Sequence, residues 1–418
     1  MTTTATYNKT AWLGNYPAHW QVLRIKNIFS EIESRSTSGN EELLSVSHYT
    51  GITLKRESLE NEEDFISNAE TLKGYKKVTI GDLVINIMLA WNGSLGISKF
   101  DGITSPAYCV YRVKENNNPD YFGYLFSTAL LKTEFRKKST GIIDSRLRLY
   151  SDKFFSISAP IPPIAEQNKI VDYINTQTQK ITHFIAKKQK FIALLKEQRQ
   201  SIINAVVSGQ LLVNNGSTIK NNGSIKVNNL RLKYIVQSQK GKVPTSFSDD
   251  ATLHPYLSME YLREKNDNTI YVEEGGTNIL VDENEVLVLW DGANAGEIML
   301  SKRGYLSSTM AILKPNEKYF HKGFFYFFLK SKENYFKEKA NGTTIPHLDQ
   351  EAFFCERIDI LPYHLQLTTY NYLLSETTTI DRAIAKTLKE IELIKEYKEA
   401  MISEAVMGKI NFNKKENE

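Results

Sequence analysis

The chain states nearly the same thing twice. Asp172 to Leu211 aligns without a gap on Asn371 to Ile410 at a constant offset of 199 residues. Tyr173 falls on Tyr372, Ile181 on Ile380, the run Ile185, Ala186, Lys187 on Ile384, Ala385, Lys386, and Ile203, Val207 and Gly209 on Ile402, Val406 and Gly408. A second echo opens each half, Leu23, Arg24, Ile25, Lys26 against Leu230, Arg231, Leu232, Lys233, at an offset of 207. Two copies of one module predict a molecule with an internal pseudo-twofold repeat. A solenoid would need more numerous and shorter repeats.

Helical periodicity is strongest inside the repeat. Ile181, Ile185, Ile192, Leu195, Ile202 and Val206 recur at helical spacing, and so do Ile380, Ile384, Ile391, Ile394, Met401 and Ala405. Pro160, Pro162 and Pro163 mark the entrance to the first helix and Pro362 that of the second, while Gly209 and Gly408 mark the exits. Helices from about Ile164 to Val207 and Tyr363 to Val406 would each be roughly 65 Å long. A helix of that length must bury its apolar stripe, and the matching stripe of the other helix is the nearest candidate. Charge agrees with this, since the first helix carries seven Lys or Arg against three Asp or Glu, and the second five against seven. The pseudo-twofold and the intervening domain favour an antiparallel pair; two independent surface helices are the competing reading.

Between the echoes and the helices, alternating apolar runs such as Val78 to Met88 and Glu285 to Trp290 predict strands, and a shorter helix is expected around Tyr121 to Lys137 and Lys322 to Lys339. The expected class is α+β: two mixed α/β domains separated by a long antiparallel two-helix coiled coil. The boundaries read as a first domain at 1–158, a helix at 159–212, a linker at 213–227, a second domain at 228–358, a helix at 359–412 and a tail at 413–418. The Asn, Gly and Ser content of Asn214 to Asn229 suggests the linker.

Composition excludes little. A formal charge of +4 in 418 residues permits a nucleic-acid partner without demanding one. Cys109 and Cys355 form no CxxC, which fits a reducing cytoplasm, and no apolar run approaches the roughly 18 residues of a membrane span. Catalytic motifs are not found. The nearest approach to the base-gripping turn of an amino-methyltransferase is Asn118, Pro119, Asp120, Tyr121, read as a loop leading into a helix capped by Asp120. There is no GxxxxGK[ST] loop, and Gly93, Gly96, Gly292 and Gly296 make no dinucleotide fingerprint. Glu396, Tyr397, Lys398 reads as a solvated helix face. His19, His48, His183, His254, His321, His347 and His364 have no metal-ligand spacing.

One long segment, STGIIDSRLRLYSDKFFSISAPIPPIAEQNKIVDYI followed by IAKKQKFIALLKEQRQSIINAVVSGQL, places loop, strand, PPxxEQ helix entrance and KEQRQxxIxxAV helix end in succession within Ser139 to Leu211. With WLGNYPAHW at Trp12 to Trp20, GDLVINIMLAWNG at Gly81 to Gly93 and TSPAY at Thr104 to Tyr108, the chain resembles the specificity subunit of type I restriction-modification enzymes over essentially its whole length. The second half departs from the pattern: LPYHLQL at Leu361 to Leu367 lacks the Pro-Pro and the Glu-Gln pair, and nothing like WLGNYPAHW precedes Leu230.

The resemblance implies a non-catalytic chain with two target-recognition domains, each reading half of a split site in double-stranded DNA. It implies two modification subunits that bring S-adenosylmethionine and dock on the helices, and restriction or translocase subunits that use ATP and Mg, in a prokaryotic cytoplasm. This chain would hold no cofactor or metal of its own. The best DNA-contact candidates are the basic helix end and following loop of each half: Arg136, Lys137, Lys138, Thr140, Gly141, Arg146 and Arg148, then Lys337, Lys339, Thr343, Thr344 and His347. Phe324 to Phe328 reads as helix core rather than a base-stacking platform. A coiled-coil scaffold without DNA specificity and a single-chain modification enzyme are the rival readings.

Overall fold

The computed structural model describes residues 7–10, 14–48, 50–55, 71–214, 216–223, 225, 227–263, 269–341, 346–410 and 412. Internal contacts divide the chain into two units, Met1–Lys187 with Lys389–Glu418, and Lys188–Leu388.

In the first unit, β1 (Gln21–Arg24), β2 (Phe29–Glu31), β3 (Leu83–Ile85), β4 (Leu95–Ile97) and β5 (Cys109–Val113) precede α1 (Pro119–Ser127), α2 (Ala129–Lys138), α3 (Ser151–Ser156), β6 (Ser158–Ile161) and the start of α4 (Ile164–Val207). An antiparallel sheet runs in the order β2-β5-β3-β4. Both of its faces are covered. Leu83, Ile85 and Tyr111 pack into the main core with the helices, whereas Val84 and Val110 face a smaller cluster with Leu44, Ile52 and Leu54. That two-sided burial explains why β3 reads as a continuous apolar run. Aromatic edges bind the main core together, with Phe29 and Phe122 centroids 5.1 Å apart and Phe126 and Phe154 5.7 Å apart.

The second unit follows the same plan. The segment after α4 forms β7 (Leu211–Asn214) and β8 (Ser217–Lys220); then come β9 (Asn228–Arg231), β10 (Val236–Lys240), β11 (Val286–Leu289), β12 (Ile298–Leu300), β13 (Met310–Pro315), α5 (Lys322–Glu338), α6 (Gln350–Cys355), β14 (Arg357–Ile360) and α7 (Tyr363–Val406). Its sheet order, β10-β13-β11-β12, reproduces that of the first unit. Val286 and Val288 meet the helices while Leu287 and Leu289 meet a second cluster with Leu257 and Leu306. Phe324, Phe325, Phe327 and Phe328 are buried, as helix core should be.

The repeat reaches further back than the gapless alignment. Strands, short helices and long helices recur at an offset of 199 from α3 and α6 onward. The Leu149 and Leu348 amides, also 199 apart, donate to the Ile87 and Trp290 carbonyls, which lie 203 apart. The opening echo has a structural meaning as well. Leu23 pairs with Ala159 and Leu230 with Ile358, so in each unit the first copy of Leu-Arg-x-Lys is zipped to the strand that leads into a long helix.

Three expectations need correction. The helix expected from Tyr121 to Lys137 is broken at Thr128, whose extended backbone and hydroxyl, accepting from the Leu131 amide, end α1 and cap α2. Asn118, not Asp120, caps α1: its side chain accepts from the Asp120 amide at 3.0 Å, and Asp120 sits in the first turn, paired with Lys99. The stretch read as a linker begins within a hairpin, because Leu211 and Val213, on one face of the strand, pack on the second core, while Ser217 to Lys220 completes the ladder.

The second half also retains more of the helix-entrance motif than LPYHLQL suggests. Gln167 and Gln366, again 199 apart, are both buried, at 1% and 0% exposure. The Gln167 amide donates to the Pro162 carbonyl at 2.9 Å and its oxygen accepts from the Asn118 amide at 2.8 Å. Gln366 donates to the Leu361 carbonyl at 2.9 Å and the Tyr319 carbonyl at 2.8 Å, and accepts from the His321 amide at 2.8 Å. Each glutamine therefore ties the second turn of a long helix to the cap of the domain's own helix. The Glu of the pair is replaced by Leu365, but the residue that makes the joint persists.

Within each unit the two long helices contribute segments of opposite direction to one core. In the first, Ile170, Val171, Ile174 and Ile181 share a cluster with Met401, Ala405 and Val406, and Ile185 and Ile394 pack against it. Tyr121 donates to both the Pro160 and Val406 carbonyls, which puts the end of α7 beside the start of α4. In the second, Arg199 chelates Asp381 at 2.9 and 3.2 Å, and a Cβ on Gly209 would lie 3.0 Å from Leu361, so advance along α4 is retreat along α7. Ile202 and Val206 join that core, Ile192, Ile380 and Ile391 are buried, and Leu195 and Ile384 are half-buried. The helices are partners; the reading as independent surface helices does not hold.

Gln366→Ala should lower the urea-unfolding midpoint by the equivalent of roughly 3 kcal/mol, because it leaves buried backbone groups unpaired. Amide exchange at His321 should quicken; exchange unchanged from wild type would refute the joint. Gly209 and Gly408 both take left-handed φ angles, +75° and +70°, but a Cβ at Gly408 would also meet the rigid Pro17 ring at 2.4 Å and Trp20 at 2.9 Å. Gly408→Ala should therefore lower the melting temperature more than Gly209→Ala; the reverse order would contradict this account.

Candidate nucleic-acid interface

In the first unit the basic residues sit where a helix dipole favours them, in the last turn of α2. They differ in their freedom. Arg136 grips both Asp144 carboxylate oxygens, at 2.6 and 2.9 Å, and lies over the Trp91 ring at 5.1 Å, so it braces the loop rather than offering a loose charge. Lys137 is 3.8 Å from Glu134 and 62% exposed, a weak contact that leaves its ammonium available. Lys138 is half-buried, and Arg146 is exposed at the end of a short 3-10 turn.

The loop itself is closed at its neck. The Thr140 and Arg148 amides each donate to the other's carbonyl at 2.9 Å, and the Arg146 amide donates to the Ile143 carbonyl at 2.8 Å. Gly141, at φ +153°, presses so close that a Cβ would lie 2.5 Å from the Arg146 carbonyl oxygen. Lys137, Lys138, Thr140 and Lys153 border a shallow depression of about 550 Å³ at the loop's base. Cations, a hydroxyl and exposed backbone around an open concavity suit a phosphate oxygen. At the far end of the loop Ile142 is 99% exposed and Ile143 54%.

The corresponding place in the second unit is organised by carboxylates. Lys337 pairs with Glu333 at 2.7 Å, and Glu333 also accepts from Lys330 and from the Ile298 amide. Burial pushes the Glu333 carboxyl up, but Lys330, with hydrogen bonds from Lys330, Lys337 and that amide, outweighs it and holds the group below its ordinary value. Lys337 is thus tied to the sheet edge, whereas Lys339 rests over the Tyr335 ring at 5.6 Å. His347 meets Asp291 at 2.8 Å, and Lys240 meets the other oxygen of the same carboxylate at 2.6 Å. Burial again works against ionisation, and the two hydrogen bonds win, keeping Asp291 below its usual range. Thr343 and Thr344 lie outside the described residues.

Sequence reasoning singled out one basic stretch in each domain and missed the groups that organise it: Trp91 and Asp144 in the first, Lys240 and Asp291 in the second. All but Asp144, which lies in the loop itself, come from strands and loops distant in sequence, and no spacing rule links them to the helix ends. The Ile-Ile pair at the tip was visible as an apolar dipeptide inside a polar loop. Among the described residues no group of three or more His, Cys, Asp and Glu could hold a metal ion, and no helix is long and apolar enough to cross a membrane.

Comparison with known proteins agrees with this duplicated plan. The specificity subunit of the type I restriction enzyme MjaVIII from Methanocaldococcus jannaschii is 37% identical over 173 residues, which cover 41% of this chain and 39% of that protein. Among solved structures, a chain from work on complex assembly and conformational transition of a type I R-M system covers 94% of this chain and 99% of its own, with a TM-score of 0.71 at 14% identity. The HsdS subunit from Thermoanaerobacter tengcongensis covers 94% of this chain and 98% of its own, with a TM-score of 0.52 at 14% identity. These two likenesses show the fold. The family model for the type I restriction modification DNA specificity domain matches twice, over residues 17–194 and 225–393, and the chain belongs to that family.

Proposed function

We propose that this chain is the DNA-recognition subunit of a type I restriction-modification enzyme, each domain reading one half of a bipartite site in double-stranded DNA. The observation that carries the reading is the doubling of the specificity domain: the family matches fall one on each half. Each half places a basic helix end beside a loop anchored at the same backbone position, on the Ile87 or the Trp290 carbonyl. Two like readers joined in one chain suit two half-sites at a set separation, as dimeric DNA-binding proteins do. The long helices would set that separation and offer the docking surface for two modification subunits.

The chain is non-catalytic on this reading. S-adenosylmethionine would be held by the modification subunits and ATP with Mg by the restriction or translocase subunits, and the assembly would work in a prokaryotic cytoplasm. Free cations at the interface, Lys137 and Arg146 above all, would neutralise phosphates, while Arg136 and Lys337, held in ion pairs, would act by keeping the loop and the sheet edge in place.

Exchanging residues 225–355 for those of a relative should change one half-site of the methylated sequence and leave the other intact; altered preference in both halves would contradict modular reading. Arg146→Ala in the assembled complex should flatten the slope of log affinity against log salt by about one. A slope equal to wild type would remove Arg146 from the footprint. Four residues inserted at matched positions in both helices add about 6 Å, close to two base pairs. The preferred spacer should lengthen accordingly, and an unchanged spacer would refute the ruler. Methyl transfer by the purified chain alone would overturn the non-catalytic assignment.

A further inference from the structure

We propose that Ile142 is an apolar wedge that enters the base stack of the half-site read by the first domain; the inference rests on the DNA-recognition reading above. Ile142 is the most exposed of the large apolar side chains in the described residues, at 99%, and Ile143 beside it is 54% exposed. A lone exposed apolar side chain is ordinary on a protein surface; what sets this one apart is how its loop holds it and the charges around it.

The loop is built to hold it there. Reciprocal 2.9 Å bonds between Thr140 and Arg148 close the neck, the Gly141 backbone packs against the Arg146 carbonyl, and the Arg136–Asp144 pair, backed by Trp91, ties the tip's flank to α2. A tip so braced does not fold back to bury its side chain. Isoleucine is branched at Cβ and stiff about χ1, which is what an inserting side chain needs if it is not to bend aside. Isoleucine is also among the side chains that other DNA-binding proteins push between base steps.

Its surroundings select the partner. From Arg136 to Arg146 the segment carries Arg136, Lys137, Lys138 and Arg146; Arg136 is paired with Asp144, and Lys137 lies 3.8 Å from Glu134. The depression at the loop's base is bordered by Lys137, Lys138 and Lys153, with Asp152 3.5 Å from the last. An apolar point surrounded by cations complements a nucleic acid, whose phosphates flank a stack of apolar base faces.

The test uses the chain assembled with its modification subunits and duplexes carrying 2-aminopurine at successive positions of the half-site assigned by domain exchange, outside the methylated base. Wild type should raise the fluorescence at one step, where stacking is lost. Ile142→Ala should abolish that rise and weaken cognate binding by roughly 10- to 100-fold, the range that burial of one aliphatic side chain supplies, with the salt slope unchanged. Ile142→Leu should keep most of both. If Ile142→Ala binds as wild type does, or retains the fluorescence rise, the wedge is overturned while sequence-specific recognition stands. If instead it fails to assemble with the modification subunits, the tip is a protein contact and the wedge is likewise overturned. A wild-type complex with no sequence preference would sink the wedge together with the reading beneath it.

Discussion

Everything in this molecule depends on two amphipathic helices that cannot stand alone. Each runs for 44 residues, far beyond what propensity sustains in water, and each presents an apolar stripe along its length. The stripe is buried by giving each unit one segment from the beginning of one helix and one from the end of the other. The globular part of each unit then packs onto the same core, as Tyr121 does in the first and Phe324 and Phe328 do in the second. Domain and helix are thus one hydrophobic object. The buried glutamines at 167 and 366 fix the angle at which they meet, since each satisfies backbone groups from both sides of the joint.

Much of this was legible in the sequence because it is periodic. Helical spacing pointed to twelve stripe residues, each buried or half-buried in the folded chain, but passed over Ile170, Ile174, Ile203 and Leu373, and the fixed offset identified the repeat. Where the reading failed, the cause was competition between local signals. Asn118 and Asp120 are both good caps, and Pro119 between them made Asn118 the last non-helical residue. Thr128 looks unremarkable inside a helical pattern, yet its hydroxyl serves α1 by back-bonding and α2 by capping. The hairpin after α4 was hidden by composition: Asn, Gly and Ser suggest a tether, and only the short apolar run Leu211, Leu212, Val213 before them hints that one face has a core to cover. Gln366 was passed over because the residues around it differ, although its position is held to the residue.

The interface was legible only as a region. A count of Lys and Arg treats all cations alike, whereas the folded chain sorts them. Arg136 and Lys337 are committed to carboxylates, and Asp291 draws Lys240 and His347 together across strands. Such pairs at half-exposed sites contribute little to stability, and their value lies in the geometry they impose on neighbouring backbone. The result in the first domain is a loop whose shape is set before any ligand arrives, with Lys137 and Arg146 left at its surface. Pre-shaped loops lose less conformational entropy on binding, which favours discrimination between related sequences.

The division of the chain into units has an outcome in time. The second unit is one uninterrupted stretch, Lys188–Leu388, whereas the first is assembled from Met1–Lys187 and Lys389–Glu418. On the ribosome the second unit has all its parts before the first does, because Met401, Ala405 and Val406 emerge after the whole of Lys188–Leu388 and Ile170, Val171 and Ile174 wait for them. The usual N-to-C order of domain folding is inverted for completion. Until the end of α7 has been made, the first unit carries an uncovered apolar groove, and a chaperone or a partner subunit that reaches it early meets a different surface from the one the folded protein presents.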